Sequence, residues 1–312
     1  MVLNRTTGGV SDAAFPELPS LLHPGDCLVL NDTRVVPARL SATRADTGGH
    51  AEIFLLRQLS DTEWKVLLRP GKYCRPGTAL SLAEGFTAVV LEGLGSGRAV
   101  VAFGPSQRVH RLQSEVGTVP LPPYIKRPPD KTDTDRYQTV YACNGSAVAA
   151  PTAGLHFTVD MLSTLAAAGV NHCYLTLNVG PGTFEPLRHE KLADNSLDPE
   201  EYHVPSESLA LLAETRRTGG RIVAVGTTAA RVLESIRIHD AGPLYGETSL
   251  FIFPPYSFTN LDVLITNFHL PGSSLIALVA AFAGLDTVMS AYRRAVAGGY
   301  RFYSYGDAMI VV

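Results

Sequence analysis

The pattern of secondary-structure signals changes once along this chain, near residue 117. Between Leu28 and Phe103, short runs rich in β-branched and aromatic residues follow one another with no helical pattern between them. Gly, Pro and Asp turns separate these runs at an even spacing, which predicts a small antiparallel barrel or sandwich. The loop GLGSG at 93–97 precedes a strand rather than a helix, so we expect a hairpin turn there and no phosphate-binding loop. The predicted strands are 51–57, 63–69, 86–92 and 98–103.

A helical pattern at 105–117 and a loop rich in Pro and charge at 119–138 follow this region. Beyond the loop, strand and helix patterns alternate, which predicts an α/β domain with a mainly parallel sheet. The expected strands are 171–178, 221–225, 249–253 and 261–265, and the expected helices are 159–168, 206–218, 228–238, 274–283 and 286–297.

Composition excludes several classes of protein. No apolar run approaches the roughly 20 residues of a membrane helix, and the first ten residues do not resemble a signal peptide. The four cysteines are scattered and have no nearby pair of histidines, which argues against zinc and against a disulfide framework and fits a reducing cytoplasm. The net charge of −3 does not indicate a general nucleic-acid binder, so an RNA partner would have to meet a local basic patch.

Polar residues cluster at the corners that follow predicted strands, where open α/β sheets bind ligands. The first corner, LNDTR, presents Asp32 and Arg34, and its structural alternative is an Asx turn with a surface ion pair. The second corner, PTAGLHFT, holds Thr152, Gly154 and His156 just before a helix that Thr158 can cap. For His156 the alternative is a histidine whose hydrogen bonds are satisfied by the backbone.

Two further corners suggest binding through the backbone. VGPGTFEPLR (179–188) carries Glu185 as a possible general base or, alternatively, as half of an ion pair with Arg188. In VAVGTTAAR (223–231) a helix start follows a strand, which favours an anion such as a carboxylate or phosphate, with Arg231 one turn away. The alternative is an ordinary helix capped by Thr227 or Thr228.

The last two corners are TNFHLP, with Asn267 and His269, and YRFYSYGDAM near the end of the chain. None of the five strand corners or this terminal segment has the spacing of metal ligands, so acid–base or substrate-binding roles fit better than metal catalysis.

Taken together in their order, LNDTRVVPARL, YQTVYA, AVAAPTAGLHFT, VGPGTFEPLR, VAVGTT, TNFHLP and YRFYSYGDAM resemble the S-adenosylmethionine:tRNA ribosyltransferase-isomerase family of queuosine synthesis. The motifs run from Leu28 to Val312. The resemblance implies an α/β domain of residues 1–37 and 117–312, with a β-barrel-like domain of residues 38–116 inserted into it. It also implies transfer and isomerisation of the ribosyl part of S-adenosylmethionine onto the aminomethyl-deazaguanine at the tRNA wobble position, with release of adenine and methionine. No metal or redox cofactor is expected; the expected partner is the tRNA anticodon arm, and the chain is expected to be a cytoplasmic monomer.

The chemistry implied by this resemblance needs a base for the acidified 5′ C–H and an acid or donor for the departing adenine. His156 and His269 are the proton-transfer candidates, because an unshifted histidine titrates near working pH. Asp32, Glu185 and Asp307 are expected to face the sulfonium or the ribose hydroxyls. Groups expected to bind carboxylate or phosphate are Arg34, Arg231 and Gly226-Thr227-Thr228. The other expected substrate-binding residues are Tyr137, Gln138, Thr152, Gly154, Gly182, Asn267, Arg301 and Tyr305.

This chain departs from the family pattern at four motif positions, where it carries Asn178, Asn195, Asp198 and Ala229 in place of three histidines and a serine. The family also has a segment before the first strand, so either the start is misassigned or the chain is naturally short. Because Asn cannot transfer protons near neutral pH, two alternatives stay open. One is a paralogue that acts on S-adenosylmethionine with a small acceptor or cleaves it outright; the other is a silent protein that binds it.

Overall fold

The computed structural model describes residues 1–104, 109–122, 124–180, 187, 189–240 and 242–312, with only the backbone of Glu84, His110, Lys131 and Ser146. The chain forms two compact units, one of residues 1–34 and 136–312 and the other of residues 35–135. The boundaries at 37/38 and 116/117 that the sequence suggests stay a prediction; the second unit extends past the barrel strands and includes the Pro-rich loop up to Asp135.

The strands, in chain order, are β1 (Val2–Leu3), β2 (Val10–Ser11), β3 (Cys27–Asn31), β4 (Thr33–Val35), β5 (Arg39–Arg44), β6 (His50–Gln58), β7 (Glu63–Arg69), β8 (Ala79–Leu82), β9 (Thr87–Gly95), β10 (Arg98–Gly104), β11 (Asn144–Ala147), β12 (Asn171–Leu177), β13 (Glu200–Val204), β14 (Ile222–Val225), β15 (Leu244–Thr248), β16 (Val263–Asn267) and β17 (Ala308–Val311). The helices are α1 (Leu18–Leu21), α2 (Val109–Val116), α3 (Lys131–Arg136), α4 (Val159–Ala167), α5 (Ser206–Arg217), α6 (Gly226–Ser235), α7 (Ser274–Ala283) and α8 (Leu285–Ala297).

In the second unit, the described strands close into an antiparallel barrel in the order β10-β7-β6-β5-β8-β9. Burial alternates along β7 and β10, so every second side chain points into an apolar interior. The prediction of an antiparallel β unit is confirmed, with a barrel rather than a sandwich. The hairpin at 93–97 is confirmed too, because β9 ends at Gly95 and β10 begins at Arg98. The strands β5 and β8 were not predicted, because they are short and their exposed faces are polar.

In the first unit, nine of the described strands form one large sheet in the order β15-β13-β12-β3-β14-β16-β17-β1-β2, and β11 pairs with β4 in a separate two-stranded sheet. Its four central strands, β12, β3, β14 and β16, are mutually parallel, whereas the pairs β13–β15, β12–β13, β16–β17 and β1–β2 are antiparallel. The predicted α/β fold is therefore confirmed, with the parallel strands at the centre. The strands β3, β14 and β16 are buried along their whole length, as expected for strands covered by helices on both faces.

Two apolar cores cover the two faces of this sheet. On one face, Leu28 and Val223 pack with Leu162 of α4 and with Leu18 of α1. On the other face, Val29 and Ala224 of the same strands pack with residues of α5, α6, α7 and α8. Because side chains alternate along a strand, adjacent residues of β3 and β14 serve different cores. This three-layer arrangement holds the ends of the central strands in fixed positions.

Most predicted elements of this unit are confirmed, but the strand at 249–253 is wrong. The strand is β15, directly before it, whose alternating exposure places Tyr245 and Glu247 outside. The apolar run SLFIF continues without regular structure, and its Ile252 is buried in the core instead of in a ladder. The strand β13, which lies between β15 and β12 in the sheet, was not predicted, and α6 begins at Gly226, two residues earlier than expected. The predicted helix at 105–117 is described only from Val109.

In the part of the chain that the structure describes, no single helix is long and apolar enough to cross a membrane; α7 and α8 meet the criteria only together, as a pair bent by 115°.

Candidate active site

The parallel strands of the central sheet end at one edge, and the polar corners identified in the sequence follow them. β3 ends at Asn31, β14 at Val225 and β16 at Asn267. Since parallel strands present their carboxyl ends on the same side, side chains distant in sequence meet there. The short helical turn Thr152–His156 packs against this edge, in contact with β16 and with α6. This edge is the candidate active site.

Asn267 connects the other polar groups of this edge. It is fully buried; its Oδ1 accepts a hydrogen bond from Thr152 Oγ1 at 3.2 Å. Its Nδ2 lies 3.3 Å from His156 Nε2 and donates to the backbone carbonyl of Tyr303, also at 3.3 Å. Three of the corners predicted from sequence therefore meet around one amide, and Thr152, His156 and Asn267 are held in a single hydrogen-bonded group.

This network defines the tautomer of His156. A carbonyl oxygen can only accept, so the contact with Tyr303 fixes which end of the Asn267 amide is the NH₂ group. That group donates to His156 Nε2, which must then be the acceptor nitrogen, and the proton of the neutral imidazole lies on Nδ1. Burial lowers the pKa of His156 below its ordinary value, although the nearby Asp307 carboxylate acts in the opposite direction. His156 is therefore a neutral donor near pH 7.

His156 forms part of the wall of a cavity of about 360 Å³. Its ring stacks on Phe15, with the centroids 4.9 Å apart and the planes inclined by 27°. No described residue hydrogen-bonds to the Nδ1 atom of His156. The rest of the lining is largely apolar and includes Leu18, Leu21, Ile265 and Ile310, which all belong to the core on one face of the sheet. A pocket of this volume with few polar groups is typical of small-molecule sites.

The charged groups of this cavity are Arg301 and Asp307. The Arg301 guanidinium donates to Asp307 Oδ1 at 2.7 Å, and the Arg301 backbone N–H donates to Oδ2 at 2.8 Å. Although burial acts to raise it, the hydrogen bonds from Arg301 hold the pKa of Asp307 below its ordinary value. The cavity therefore presents a carboxylate, a guanidinium and a neutral imidazole to a bound molecule.

The start of α6 adjoins the same edge. Gly226 has a φ of 90°, a conformation that favours glycine, and a Cβ there would lie 3.6 Å from Ala153. Neither threonine caps the helix, contrary to the sequence-based alternative, because the N-cap position is Val225 and Thr227 and Thr228 lie inside the first turn. Thr228 is buried, and its Oγ1 has no hydrogen-bond partner among the described residues. The free backbone N–H groups and this hydroxyl can donate hydrogen bonds, so the helix start can bind an anion.

Asp32 forms a second polar cluster at the end of β3. It is buried; its Oδ1 accepts from Thr176 Oγ1 at 2.6 Å, and its Oδ2 accepts from Asn144 Nδ2 at 2.8 Å. The Cys143 thiol lies 3.3 Å from the same Oδ2. The preceding Asn31 makes the expected Asx turn, accepting from the backbone N–H of Thr33. Asp32 is thus a buried carboxylate held by neutral donors.

Tyr141 lies between the Asp32 cluster and the His156 turn. A Cβ on Gly154 would lie 2.1 Å from the Tyr141 hydroxyl, so only glycine fits at this corner. Burial, followed by the neighbouring Tyr174 and Asp32, raises the pKa of Tyr141. The hydroxyl has no hydrogen-bond partner among the residues that the structure describes.

Two predicted site residues lie in positions that do not suit their expected roles. Arg231 is buried and binds Glu200 and the backbone carbonyls of Leu250 and Thr248, so each of its three guanidinium nitrogens already donates a hydrogen bond within the protein. His269 is buried against Thr266, with 2.7 Å between Nε2 and the hydroxyl, and its backbone N–H donates to Tyr292. Burial lowers the pKa of His269 to about 4, which keeps it neutral near pH 7.

The remaining predicted residues are dispersed. Tyr137 is buried, with its ring edge-on to that of the exposed Tyr305 at 6.0 Å, and Gln138 is partly buried beside it. Arg34 is exposed. Gly182, Glu185 and Arg188 lie outside the described residues. Thr158 accepts from the Met161 backbone N–H and caps α4 as expected.

Phe15 and Tyr303 were not among the site residues predicted from the sequence. Phe15 lies in an unremarkable segment and meets His156 only through the tertiary fold. Tyr303 has a φ of 74°, which is uncommon for a residue with a Cβ and costs of order 1–3 kcal/mol. Backbone strain of this kind is concentrated at functional sites, but the sequence contains no pattern that predicts it.

Both asparagines that replace family histidines, Asn178 and Asn195, have structural partners. Asn178 Oδ1 accepts from Thr33 Oγ1 at 3.1 Å, next to Gly145, where any Cβ would collide with it. The Asn195 side chain bonds to both the N–H and the carbonyl of His189 and closes a loop. Among the described residues, no group of three or more His, Cys, Asp or Glu side chains is arranged to hold a metal ion.

Comparisons with known proteins cover the chain from end to end. A family model described as "Queuosine biosynthesis protein" matches residues 1–311. The S-adenosylmethionine:tRNA ribosyltransferase-isomerases of Trichlorobacter lovleyi and Pelobacter propionicus are each 48% identical over 315 residues, covering 100% of this chain and 92% of theirs. The crystal structure of S-adenosylmethionine tRNA ribosyltransferase from Thermotoga maritima is similar with a TM-score of 0.55 and 39% identity, over 100% of this chain and 91% of that one.

Proposed function

This chain belongs to the queuosine biosynthesis protein family, and from that membership we propose that it transfers and isomerises the ribosyl group of S-adenosylmethionine onto tRNA. The acceptor is the 7-aminomethyl-7-deazaguanine at the wobble position, the product is epoxyqueuosine, and adenine and methionine leave. The observation that carries this proposal is the 48% identity to ribosyltransferase-isomerases over the whole chain. We propose that the enzyme acts in the cytoplasm as a monomer.

We propose that the cavity beside His156 receives the adenosine part of S-adenosylmethionine. The apolar lining suits a purine ring, and the Asp307 carboxylate suits ribose hydroxyls or an exocyclic amine. His156 is neutral with its proton on Nδ1, so it donates to a purine ring nitrogen as the bond between adenine and the ribosyl carbon breaks. Stacking on Phe15 and the contact with Asn267 hold the imidazole in this orientation. A positioned donor of this kind contributes about 10²–10⁴-fold to rate.

The anionic end of the substrate fits the start of α6. We propose that the backbone N–H groups of Gly226 to Thr228, with the buried Thr228 hydroxyl, bind the methionine carboxylate. Arg231 then acts by fixing α6 through its ion pair with Glu200 instead of touching substrate. Both oxygens of Asp32 already accept hydrogen bonds, so its proposed role is to stabilise the sulfonium by charge rather than to remove a proton.

Adenine release tests the proposal. The purified chain is incubated with S-adenosylmethionine alone and with tRNA that carries the deazaguanine precursor, and free adenine is quantified by chromatography. Release that requires the tRNA supports the proposed reaction. Release without tRNA would indicate a paralogue that cleaves S-adenosylmethionine or uses a small acceptor, and binding without release would indicate a silent binding protein; either result contradicts the proposal.

A further inference from the structure

An exposed tyrosine on the barrel unit is flanked by two cationic side chains, one of which, Arg44, also pairs with Asp46 at 2.7 Å. Tyr73 is 50% exposed, an unusual state for a large aromatic side chain. The Lys72 ammonium lies 4.6 Å from the centroid of its ring, and the Arg44 guanidinium lies 5.8 Å from it. Both distances are within the range of cation–π contacts. Arg69 and Arg75, next to this turn in sequence, are exposed as well.

The backbone under Tyr73 is held in place. The turn Gly71–Tyr73 follows β7, and the backbone N–H of the buried Cys74 donates to the Gly71 carbonyl at 3.2 Å. Gly71 packs so closely on the hairpin between β9 and β10 that a Cβ would lie 2.7 Å from the Gly97 Cα. A fixed aromatic ring costs little further ordering when a partner stacks on it. The surface formed by Arg44, Lys72 and Tyr73 is therefore preorganised.

The barrel unit differs from the rest of the chain in its net charge. Residues 35–135 contain 13 Lys and Arg against 10 Asp and Glu, whereas the other residues contain 13 against 19. The overall charge of −3 is thus the sum of a net positive charge on residues 35–135 and a larger net negative charge on the other residues. An exposed ring with flanking cations in a cationic unit is the combination that proteins use to bind unpaired nucleotides, where bases stack and phosphates pair with Lys and Arg.

We propose that the Arg44–Lys72–Tyr73 surface binds the tRNA substrate, with Tyr73 stacking on an unpaired base of the RNA and Lys72 facing a phosphate. This inference rests on the proposed function for the identity of the RNA, but not for the chemistry of the surface. The site of reaction lies in the other unit, so the surface contributes to affinity for RNA and not to the bond-breaking steps.

Tyr245 provides a matched control. Among the described residues it is the most exposed large aromatic residue of the α/β unit, at 74%, and its ring stacks on His203 with the centroids 4.1 Å apart. Its surroundings differ from those of Tyr73, since Glu201 and Glu247 face each other two pairs further along the same two strands. Both tyrosines are thus exposed, whereas the local charge is opposite.

The experiment measures KM for precursor tRNA, KM for S-adenosylmethionine and kcat for Tyr73→Ala, Tyr73→Phe and Tyr245→Ala. Loss of one stacked base corresponds to about tenfold in affinity, so Tyr73→Ala should raise KM for tRNA about tenfold and leave KM for S-adenosylmethionine unchanged. Tyr73→Phe should retain the wild-type value. A KM for tRNA that is unchanged in Tyr73→Ala, or raised equally in Tyr245→Ala, would overturn the proposal.

Direct binding separates this test from the proposed function. Fluorescence anisotropy with an unmodified tRNA transcript needs no turnover. Lys72→Ala should lower the slope of log affinity against log salt by about 0.7–0.9, as expected for one lost phosphate contact. If adenine is never released yet Tyr73→Ala weakens tRNA binding, the proposed reaction fails and the surface stands; if adenine is released normally and tRNA binding is unchanged, the surface fails and the reaction stands.

Discussion

In the α/β unit, polar side chains are buried where the central strands end, whereas in the barrel unit alternate residues point outward and carry their charges to solvent. Asn267, Asp32 and the Arg231–Glu200 pair are all inside the first unit and are all hydrogen-bonded. The barrel interior is apolar, and its clearest functional feature, Tyr73, is on the surface. The comparison suggests a division of work, in which one unit holds a small molecule for chemistry and the other binds a large charged partner.

The largest expected effect is on turnover. His156→Ala removes the proposed donor to adenine, and we expect kcat to fall by about 10²–10⁴-fold while tRNA affinity stays near that of the wild type. The measurement is adenine release at saturating tRNA and S-adenosylmethionine, with the melting temperature as a check on folding. His23→Ala, an exposed histidine of the same unit, is the control.

This result is the converse of the one expected for Tyr73→Ala, which changes KM for tRNA. A His156→Ala enzyme with nearly normal kcat would contradict the assignment of the chemistry to this corner, and with it the proposed division between the units.

Much of this site could be predicted because strand-end corners are visible in sequence. Asn267 ends a central parallel strand, and Thr152 and His156 follow β11, so each could be identified as a residue at a strand end. The rule for parallel strands does not itself bring them together, because β11 pairs with β4 outside the central sheet. The contact of His156 with Phe15 could not be predicted, because it depends on how the segment before α1 packs. The pairing of Arg231 with Glu200 could not be predicted either, since β13, the strand that begins at Glu200, has no strong sequence pattern.

The fold shows the same limit. The barrel could be predicted from the even spacing of its strands. The strand at 249–253 was misplaced, because a buried strand and a buried irregular segment have the same apolar composition. The polar strand LYGET was overlooked because an edge strand exposes one face, so its residues resemble a loop.

A second prediction concerns the buried ion pair of the α/β unit. Glu200→Gln would leave the Arg231 guanidinium inside the protein without a counter-charge, which typically costs about 3–5 kcal/mol. Glu52→Gln in the barrel should cost about 1 kcal/mol or less, because the Arg39–Glu52 pair is at 3.5 Å and both side chains reach solvent. Urea unfolding of the two variants measures the difference. Equal losses would show that the units do not differ in how they use charge.

A third prediction concerns pH. The pKa of His269 is about 4 in the folded protein and about 6.5 in an unfolded chain. As pH falls below 6.5 the unfolded state takes up this proton first, so the free energy of unfolding decreases until the pH approaches 4. At 1.36 kcal/mol per pH unit, the loss is about 2 kcal/mol by pH 5.

The variant His269→Gln keeps a hydrogen-bonding group near Thr266 but removes the titration. Urea unfolding of wild type and variant at pH 7.5 and pH 5 should therefore show about 2 kcal/mol less pH sensitivity in the variant. If both proteins lose the same stability between these pH values, His269 does not contribute to the acid sensitivity of the folded state as inferred.

The smallest expected effect is in the barrel, where two glycines serve as a matched pair. Gly71→Ala would place a Cβ 2.7 Å from the Gly97 Cα, a contact with backbone that can be relieved only by moving the turn. Overpacking of this kind costs about 1–3 kcal/mol. At Gly93, on β9, a Cβ meets nothing within 4 Å, so Gly93→Ala should be neutral or slightly stabilising. Because the displaced turn carries Tyr73, Gly71→Ala should also raise KM for tRNA while leaving KM for S-adenosylmethionine unchanged. A variant that loses stability but keeps its KM for tRNA would show that the position of Tyr73 does not matter to the RNA, and the contrast between the units would then be one of composition alone.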